Sequence, residues 1–152
     1  DVGCGSGRYA IDLSKGGMKI TGVDLAQEML DIAESSSAKL GFNNEFILGS
    51  YLDVSIANKK DAAILMGFFD YIDNPLDIFL KLKNDTNNFI LASFPKSGGI
   101  LAYQRKIRYN MRNCQLFYYS ADSIDKIMLD SGITDYEIQD NDREFFLIAK
   151  LS

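Results

Sequence analysis

The feature that most restricts the fold of this chain is the glycine-rich stretch DVGCGSG at residues 1–7. Glycines at alternate positions allow a tight turn and a close approach of the backbone to a ligand. A helix is predicted directly after the turn, over residues 8–15, so its free N–H groups and the positive end of its dipole would point at that ligand. Such a loop can hold a carboxylate, a phosphate or a nucleoside.

The rest of the chain alternates segments with strand-like and helical patterns. Further helices are predicted over residues 26–40, from Pro75 onward and between Ser120 and Gly132, and strands over residues 19–23, 45–48, 61–67, 88–94, 135–139 and 144–151. This alternation indicates βαβ units on a parallel sheet, and the short polar link at residues 140–142 predicts an antiparallel hairpin. We expect an α/β fold and a single domain over residues 1–152.

Apolar residues at helical spacing predict which helix faces are buried. The predicted buried side of helix 26–40 is Met29, Leu30, Ala33 and Leu40, and that of the helix after Pro75 is Leu76, Phe79, Leu80 and Leu82. The apolar run at residues 61–67 predicts a strand that is buried on both faces.

Composition and charge exclude several classes of function. The chain has a net charge of −5, which argues against a general nucleic-acid binder, and it has no histidine, which excludes Ser-His-Asp and Cys-His catalysis. We predict no metal site. Cys4 and Cys114 lack metal-ligand spacing and fit a reducing, cytoplasmic setting. The longest apolar run, residues 62–69, falls short of the roughly 20 residues that a membrane span needs.

An acidic residue, Asp24, follows the predicted strand 19–23. A carboxylate at that place can accept hydrogen bonds from both hydroxyls of a ribose. The dinucleotide pattern G-x-G-x-x-G fails when counted from Gly3, because position 8 is arginine, but counted from Gly5 it becomes the permitted G-x-G-x-x-A with Ala10. A P-loop is excluded, since no Gly-Lys-Ser/Thr follows. The residues by themselves therefore leave a nicotinamide-dependent oxidoreductase open.

The motifs DVGCGSG at residues 1–7 and TGVDLAQEML at residues 21–30 resemble the first two motifs of the Rossmann-like, class I S-adenosylmethionine-dependent methyltransferases. The resemblance extends over essentially the whole chain, through DAAILMG at residues 61–67 and the closing hairpin. It implies a doubly wound sheet on a seven-stranded plan with an antiparallel last strand. The first strand of that plan runs into Asp1, so we expect it to be mostly missing and the chain to be truncated at its N-terminus.

The resemblance also implies S-adenosylmethionine as the cofactor. In the family, the acid that matches Asp1 lies near the methionine end of the cofactor, the three glycines wrap it, and the acid that matches Asp24 binds the ribose. Many members place an aspartate after the third strand, where it binds the adenine amino group; here that place is taken by Ser50, whose uncharged hydroxyl predicts weaker binding. The cofactor-binding residues expected from this comparison are Asp1, Gly3, Gly5, Gly7, Asp24, Leu25, Ser50, Tyr51 and Gly67.

The acceptor side is predicted to follow the strand at residues 61–67, because family active sites there face the methyl group. Asp70 and Tyr71 are the candidate catalytic residues in this segment. Methyl transfer is an in-line displacement in which the protein mainly aligns the reacting atoms. Without histidine, we expect an acceptor that is already nucleophilic, or a base drawn from aspartate or tyrosine.

Residues 96–119 carry the basic side chains of Lys96, Arg105, Lys106, Arg108 and Arg112, with no acid and with interleaved aromatic rings. This layout is similar, more weakly, to small-molecule O-methyltransferases of the magnesium-protoporphyrin kind, and it makes the three arginines substrate-side candidates for an anionic or aromatic acceptor. A solvated amphipathic helix would show the same pattern. The predicted function is methylation of a small molecule, favouring oxygen; the alternatives are the nicotinamide oxidoreductase and a non-catalytic methyltransferase remnant.

Overall fold

The computed structural model describes residues 1–96 and 116–151. The chain divides into two compact units, Asp1–Ala57 and Asn58–Ser152. The single domain expected over residues 1–152 stays a prediction. Within the part that the structure describes, no helix has the length and apolar character required to cross a membrane.

The first unit alternates helices and strands in the predicted order: α1 Arg8–Lys15, β1 Thr21–Asp24, α2 Gln27–Lys39 and β2 Glu45–Leu48. The two strands are parallel, with Thr21 opposite Glu45 and Asp24 opposite Leu48. Val2 forms a parallel bridge with Val23. Residue 2 therefore pairs with β1 in the way expected for the end of the first strand of the seven-stranded plan.

At the amino ends of these strands, the side chain of Asn44 connects three parts of the chain. Its Oδ1 accepts hydrogen bonds from Ser14 Oγ on α1 at 3.0 Å and from Ile20 N at 3.1 Å. Its Nδ2 donates to Ser37 Oγ on α2 at 3.1 Å. Because Ser14 and Ser37 are buried, Asn44 satisfies polar groups that would otherwise have lost their contact with water.

The second unit contains β3 Lys60–Leu65, a short 3₁₀ helix Phe69–Tyr71, α3 Leu76–Asp85, β4 Thr86–Pro95, α4 Ala121–Ser131, β5 Asp135–Asp140 and β6 Glu144–Lys150. The strand order is β3-β4-β6-β5. β3 and β4 are parallel, whereas β6 is antiparallel to both of its neighbours. This confirms the predicted hairpin and the antiparallel last strand.

Stacked aromatic rings form the centre of the second unit. The rings of Phe69 and Phe94 lie 4.3 Å apart and nearly parallel, and Phe79 stacks on Phe69 at 5.6 Å. Buried aromatic pairs of this kind add to the stabilisation from area burial alone. The 3₁₀ helix after β3 is therefore attached to α3 and β4 through the ring of Phe69.

Local signals in the sequence account for the helix ends. Asn74 Oδ1 accepts a hydrogen bond from Leu76 N at 3.2 Å, as expected of an asparagine placed before a helix. Ser120 and Ser123 form a reciprocal capping box at the start of α4, and Gly132 ends that helix in the left-handed conformation. The helix predicted between Ser120 and Gly132 is confirmed, whereas α3 begins at Leu76, one residue after the predicted Pro75.

Three predictions about burial were wrong. Met29, Leu40 and Leu80 are exposed, whereas Ile78 is buried. The buried residues of α2 are Leu30, Ala33 and Ser37; Met29 lies about 100° around the helix from Leu30, at the margin of this face. Leu40 lies past the last helical residue. The run at residues 61–67 is not buried on both faces: in β3 only the alternate residues Ala63 and Leu65 are buried, so only one face of the strand is covered.

Candidate functional site

The glycine-rich loop is held against the end of β1. The N–H groups of Gly3 and Cys4 both donate to Val23 O, at 2.8 and 3.1 Å, and Gly7 N donates to Cys4 O at 2.9 Å. Gly3, Gly5 and Gly7 all have φ between 50° and 74°. Other residues rarely adopt that conformation, so the structure confirms the tight turn predicted from the alternating glycines.

Gly5 and Gly7 have different surroundings. A Cβ atom built on Gly7 would lie 2.8 Å from Ala33 Cβ and 3.3 Å from Ala33 Cα, so glycine is needed there for α1 to approach α2. A Cβ atom built on Gly5 would meet no atom within 4 Å. Gly5 thus leaves open space beside its backbone, where a ligand can approach closely.

The carboxylate of Asp24 connects the loop to the start of α2. Oδ2 accepts a hydrogen bond from Gly5 N at 2.7 Å, and Oδ1 accepts one from Ala26 N at 2.9 Å. A carboxylate has about four acceptor sites, so each oxygen retains one for a further donor. The side chain is half-buried, which leaves it accessible to a ligand.

Ser50 lies next to Asp24 at the carboxyl ends of the two parallel strands. Asp24 is opposite Leu48, and Gly49 N donates to Asp24 O at 2.9 Å, which brings the following residue, Ser50, to the same edge of the sheet. Ligands of parallel sheets bind beyond the carboxyl ends of the strands. Asp24 and Ser50 therefore lie at the edge where a ligand is expected.

The other residues predicted in the first unit differ in exposure. Leu25 is 75% exposed, so its apolar side chain is available to a ligand. Tyr51 is buried. Asp1 is attached to β1 by its backbone, since its amino group donates to Thr21 O at 2.9 Å and its carbonyl oxygen accepts from Val23 N at 2.9 Å.

Cys4 is part of the packing beneath the loop. A Cβ atom on Gly22 would lie 2.8 Å from its Sγ. Burial and, secondarily, the negative charge of Asp24 raise the pKa of the Cys4 thiol to about 11. The side chain is thus a neutral thiol near pH 7 and is unsuited to act as a nucleophile.

The predicted acceptor-side residues belong to the second unit. Asp70 is only 5% exposed and lies in the 3₁₀ helix, whereas Tyr71 is 46% exposed. Gly67 N donates to Oγ of the buried Ser93 at 2.9 Å. Sequence analysis missed Ser93, because a single serine in an apolar strand carries no pattern that indicates its partner.

The predicted site residues are thus divided between the two units. In the first unit the structure brings together the glycine loop, Asp24 and Ser50, while Gly67 and the two catalytic candidates are in the second. The substrate-side candidates Arg105, Arg108 and Arg112 lie outside the described residues. In residues 1–96 and 116–151, no three His, Cys, Asp or Glu side chains are grouped so that they could hold a metal ion.

Comparison with known proteins identifies the family of the chain. A family model described as a methyltransferase domain matches residues 1–83, which is more than half of the 152 residues. The matched part includes the glycine loop, Asp24 and Ser50, so the candidate site of the first unit lies within it.

Two ubiquinone biosynthesis O-methyltransferases are among the similar proteins. The chain is 43% identical over 47 residues to the protein from Pseudoalteromonas translucida, which covers 31% of this chain and 20% of that protein. It is 29% identical over 80 residues to the protein from Vibrio vulnificus, which covers 51% of this chain and 34% of that protein. The matches therefore span about a fifth to a third of these relatives.

Solved structures show the same fold at low sequence identity. Magnesium protoporphyrin IX methyltransferase from Synechocystis, solved with bound SAH, superposes with a TM-score of 0.78 at 19% identity, covering 100% of this chain and 73% of that chain. A methyltransferase from Clostridium acetobutylicum, named as S-adenosylmethionine-dependent, gives 0.75 at 14% identity, covering 100% and 82%. The Rossmann-like fold predicted from the sequence is confirmed. Together with the family match, this shows that the chain belongs to the class I S-adenosylmethionine-dependent methyltransferases.

Proposed function

We propose that this chain binds S-adenosylmethionine at the glycine loop of its first unit and transfers the methyl group to an oxygen atom of a small-molecule acceptor. The observation that carries the proposal is the carboxylate of Asp24, which two backbone N–H groups hold beside the loop while one acceptor site on each oxygen is left for a ligand. The residues of the loop and those beside it fit three parts of the cofactor: the ribose, the adenine and the methionine end.

The ribose is the part of the cofactor that suits Asp24. Two neighbouring hydroxyls can donate to the two carboxylate oxygens, and hydrogen bonds to a charged group are each worth roughly 1.5–3 kcal/mol. Ser50, two residues past the end of β2, offers a hydroxyl for the adenine amino group. The exposed side chain of Leu25 offers apolar surface to the adenine ring, and binding of the ring would bury part of that side chain.

The methionine end of the cofactor suits the loop itself. Gly5 leaves open space beside the backbone, and α1 begins at Arg8 with no acidic residue in its first turn. The positive end of the α1 dipole therefore favours a carboxylate such as that of the methionine moiety. Asp1, at the start of the loop, is proposed to face the methionine amino group.

When bound, S-adenosylmethionine supplies a sulfonium methyl group, and the protein supplies alignment and a base. We assign these tasks to Asp70 and Tyr71 in the loop after β3. The partly exposed phenol of Tyr71 can contact an acceptor directly, and Asp70 can take a proton from an acceptor hydroxyl. Arg105, Arg108 and Arg112 are proposed to face an anionic or aromatic acceptor.

Similarity to enzymes named as O-methyltransferases supports oxygen as the methylated atom. The relatives in Pseudoalteromonas and Vibrio carry that name, and the Synechocystis enzyme is named for magnesium protoporphyrin IX. The acceptors that these names suggest are an aromatic ring that carries a hydroxyl group and a porphyrin. Both classes are flat, in keeping with the aromatic residues of segment 96–119.

One local feature of the structure also fits the alternative function, a nicotinamide-dependent oxidoreductase. Ala10, the last position of the alternative G-x-G-x-x-A pattern, is fully buried, as that pattern requires of a small residue at close helix–strand contact. Membership of the methyltransferase family favours the methyltransferase. The third alternative, a remnant without catalysis, predicts that cofactor binding is weak or absent.

Calorimetric titration with S-adenosylhomocysteine and, separately, with NADH tests the proposal. We expect the wild type to bind S-adenosylhomocysteine and not NADH. Asp24→Asn converts one acceptor oxygen to a donor, so it should weaken binding of S-adenosylhomocysteine by about tenfold or more, the equivalent of one lost hydrogen bond to a charged group. Asp31→Asn is the matched control, because Asp31 is an exposed aspartate of the same unit whose side chain contacts Gln27 on α2.

Tight binding of NADH without binding of S-adenosylhomocysteine would contradict the methyltransferase and support the oxidoreductase. Equal affinity of wild type and Asp24→Asn would show that the ribose assignment is wrong. For transfer itself, the measurement is formation of S-adenosylhomocysteine from S-adenosylmethionine with 3,4-dihydroxybenzoate or magnesium protoporphyrin IX as the acceptor.

A further inference from the structure

The loop of residues 67–73, which follows β3 and carries Asp70 and Tyr71, is attached to the rest of the second unit by hydrogen bonds at its start, middle and end, in addition to the stacked ring of Phe69. At its start, Gly67 N donates to Ser93 Oγ on β4. In its middle, Asp70 O accepts a hydrogen bond from Phe117 N at 3.0 Å. Near its end, Ile72 O accepts a hydrogen bond from the hydroxyl group of Tyr119. Two of these hydrogen bonds come from residues 116–119.

Tyr119 is itself fixed by its surroundings. Its backbone N–H donates to Pro95 O at 2.9 Å, and the residue forms a parallel bridge with Lys96 at the end of β4. Its buried ring meets Phe94 edge-on at 5.0 Å and Phe69 edge-on at 6.4 Å. Because the ring is packed in the aromatic core, the hydroxyl group has little freedom to move away from Ile72.

The electrostatic surroundings keep this hydroxyl group a donor. Burial, followed by the negative charges of Asp73 and Asp70, raises the pKa of Tyr119 to about 12. The phenol therefore stays protonated throughout the range in which the protein would work. Its proton has a partner, the carbonyl oxygen of Ile72, so Tyr119 is suited to hold the loop and not to exchange protons with an acceptor.

We propose that Tyr119 is a positioning residue for methyl transfer: its hydroxyl group holds the loop of residues 67–73 so that Asp70 and Tyr71 keep the arrangement that the acceptor requires. The proposal rests on the proposed function, since it gives the loop its acceptor-side role. Alignment of reacting atoms is the main contribution of a protein to such a displacement, and small changes in position lower the rate strongly. Loss of one hydrogen bond that holds the loop can therefore affect turnover while the hydrogen bonds of the glycine loop are kept.

The variant Tyr119→Phe tests this by removing the hydroxyl group while keeping the ring that packs against Phe94. The matched control is Tyr136→Phe, which removes a hydroxyl group of the same unit that donates to Asp125 at 2.8 Å. Amide hydrogen exchange of the full chain is measured for the peptide that covers residues 66–74. We expect exchange there to be about tenfold faster in Tyr119→Phe, from loss of one anchoring hydrogen bond, and unchanged in Tyr136→Phe.

Kinetics distinguish positioning from general stability. With the probe acceptor that the wild type methylates, 3,4-dihydroxybenzoate or magnesium protoporphyrin IX, Tyr119→Phe should lower kcat at least fivefold or raise KM for the acceptor to a similar extent. Its affinity for S-adenosylhomocysteine and its KM for S-adenosylmethionine should equal those of the wild type. Unchanged exchange at residues 66–74, or unchanged turnover despite faster exchange, would overturn the inference.

The two proposals fail in different ways. If the wild type does not bind S-adenosylhomocysteine, the proposed function is wrong. If the wild type binds it and Tyr119→Phe behaves like Tyr136→Phe in exchange and turnover, the proposed function stands and only the role of Tyr119 is refuted.

Discussion

The contrast between Gly5 and Gly7 predicts that alanine at these two neighbouring positions damages different properties of the protein. Both glycines have left-handed backbones, with φ of 50° and 74°. In Gly7→Ala the new methyl group would lie 2.8 Å from Ala33 Cβ and 3.3 Å from Ala33 Cα, whereas in Gly5→Ala it would meet no atom within 4 Å. The first change therefore adds crowding to backbone strain, and the second adds strain alone.

These distances set the size of the expected effects. A left-handed conformation costs an alanine roughly 1–2 kcal/mol, and overpacking a well-packed contact adds about 1–3 kcal/mol. The nearest atoms are Cβ and Cα of Ala33, and a methyl carbon bonded directly to the helix backbone cannot rotate away as a long side chain could. We expect the free energy of unfolding to fall by about 2–5 kcal/mol in Gly7→Ala and by only about 1–2 kcal/mol in Gly5→Ala.

Gly5→Ala, the variant with the smaller loss of stability, should have the larger loss of cofactor affinity. The methyl group of Gly5→Ala occupies the open space in which we place the cofactor, so affinity for S-adenosylhomocysteine should fall at least tenfold, or about 1.4 kcal/mol. Gly17→Ala is the control, because Gly17 also has a positive φ, of 87°, and also has nothing within 4 Å of an added Cβ, but it lies past the far end of α1. Gly17→Ala should match Gly5→Ala in stability and match the wild type in affinity.

The measurements are urea unfolding followed by circular dichroism, and calorimetric titration with S-adenosylhomocysteine. Equal loss of stability in Gly5→Ala and Gly7→Ala would refute the role given to the contact with Ala33. Equal affinity of Gly5→Ala and Gly17→Ala would refute the placement of the cofactor beside Gly5. The two readouts are independent, so each part of the reasoning can fail alone.

Two further predictions concern the interior of the first unit. Asn44→Ala removes the acceptor of Ser14 Oγ and Ile20 N, so the free energy of unfolding in urea should fall by about 2–3 kcal/mol. A loss below about 0.5 kcal/mol would contradict the role of this side chain. For Cys4, with Cys114 replaced by serine, alkylation by iodoacetamide at pH 8 should be slow in the folded protein and fast in urea. Fast alkylation of the folded protein at pH 8 would contradict the raised pKa of Cys4. Because this pKa rises from 9.0 to about 11 on folding, the contribution of the thiol to stability is present below pH 9.0 and is lost as pH rises through about 11.

Local patterns in the sequence were sufficient for most of the secondary structure. Helix α1 and strand β2 lie where they were predicted, over residues 8–15 and 45–48, and α4 begins after Ser120 and ends at Gly132 as its capping residues indicate. Each of these depends on interactions between residues a few positions apart, which periodicity and capping preferences report directly. The family resemblance, confirmed by the family match, came from two short motifs of the same local kind.

Burial was predicted less well, because it depends on what covers a surface. The apolar spacing of Met29 and Leu80 suggested buried faces, but these residues are 44% and 43% exposed. The apolar composition of residues 61–67 suggested a strand buried on both faces, but in β3 only Ala63 and Leu65 are buried. Composition reports the hydrophobicity of a segment and not the elements that surround it.

For the candidate site, the sequence alone predicted the residues: the glycine loop with its tight turn, the acid at position 24, and the hydroxyl at position 50. Only the tertiary structure showed that Gly5 N and Ala26 N hold the carboxylate of Asp24, and that Gly7 touches α2 while Gly5 faces open space. It alone revealed the contact of Tyr119 with Ile72, which lies 47 positions away. The physical reason is that hydrogen bonds and packing between distant residues depend on chain folding, and such contacts leave no periodic trace in the order of the amino acids.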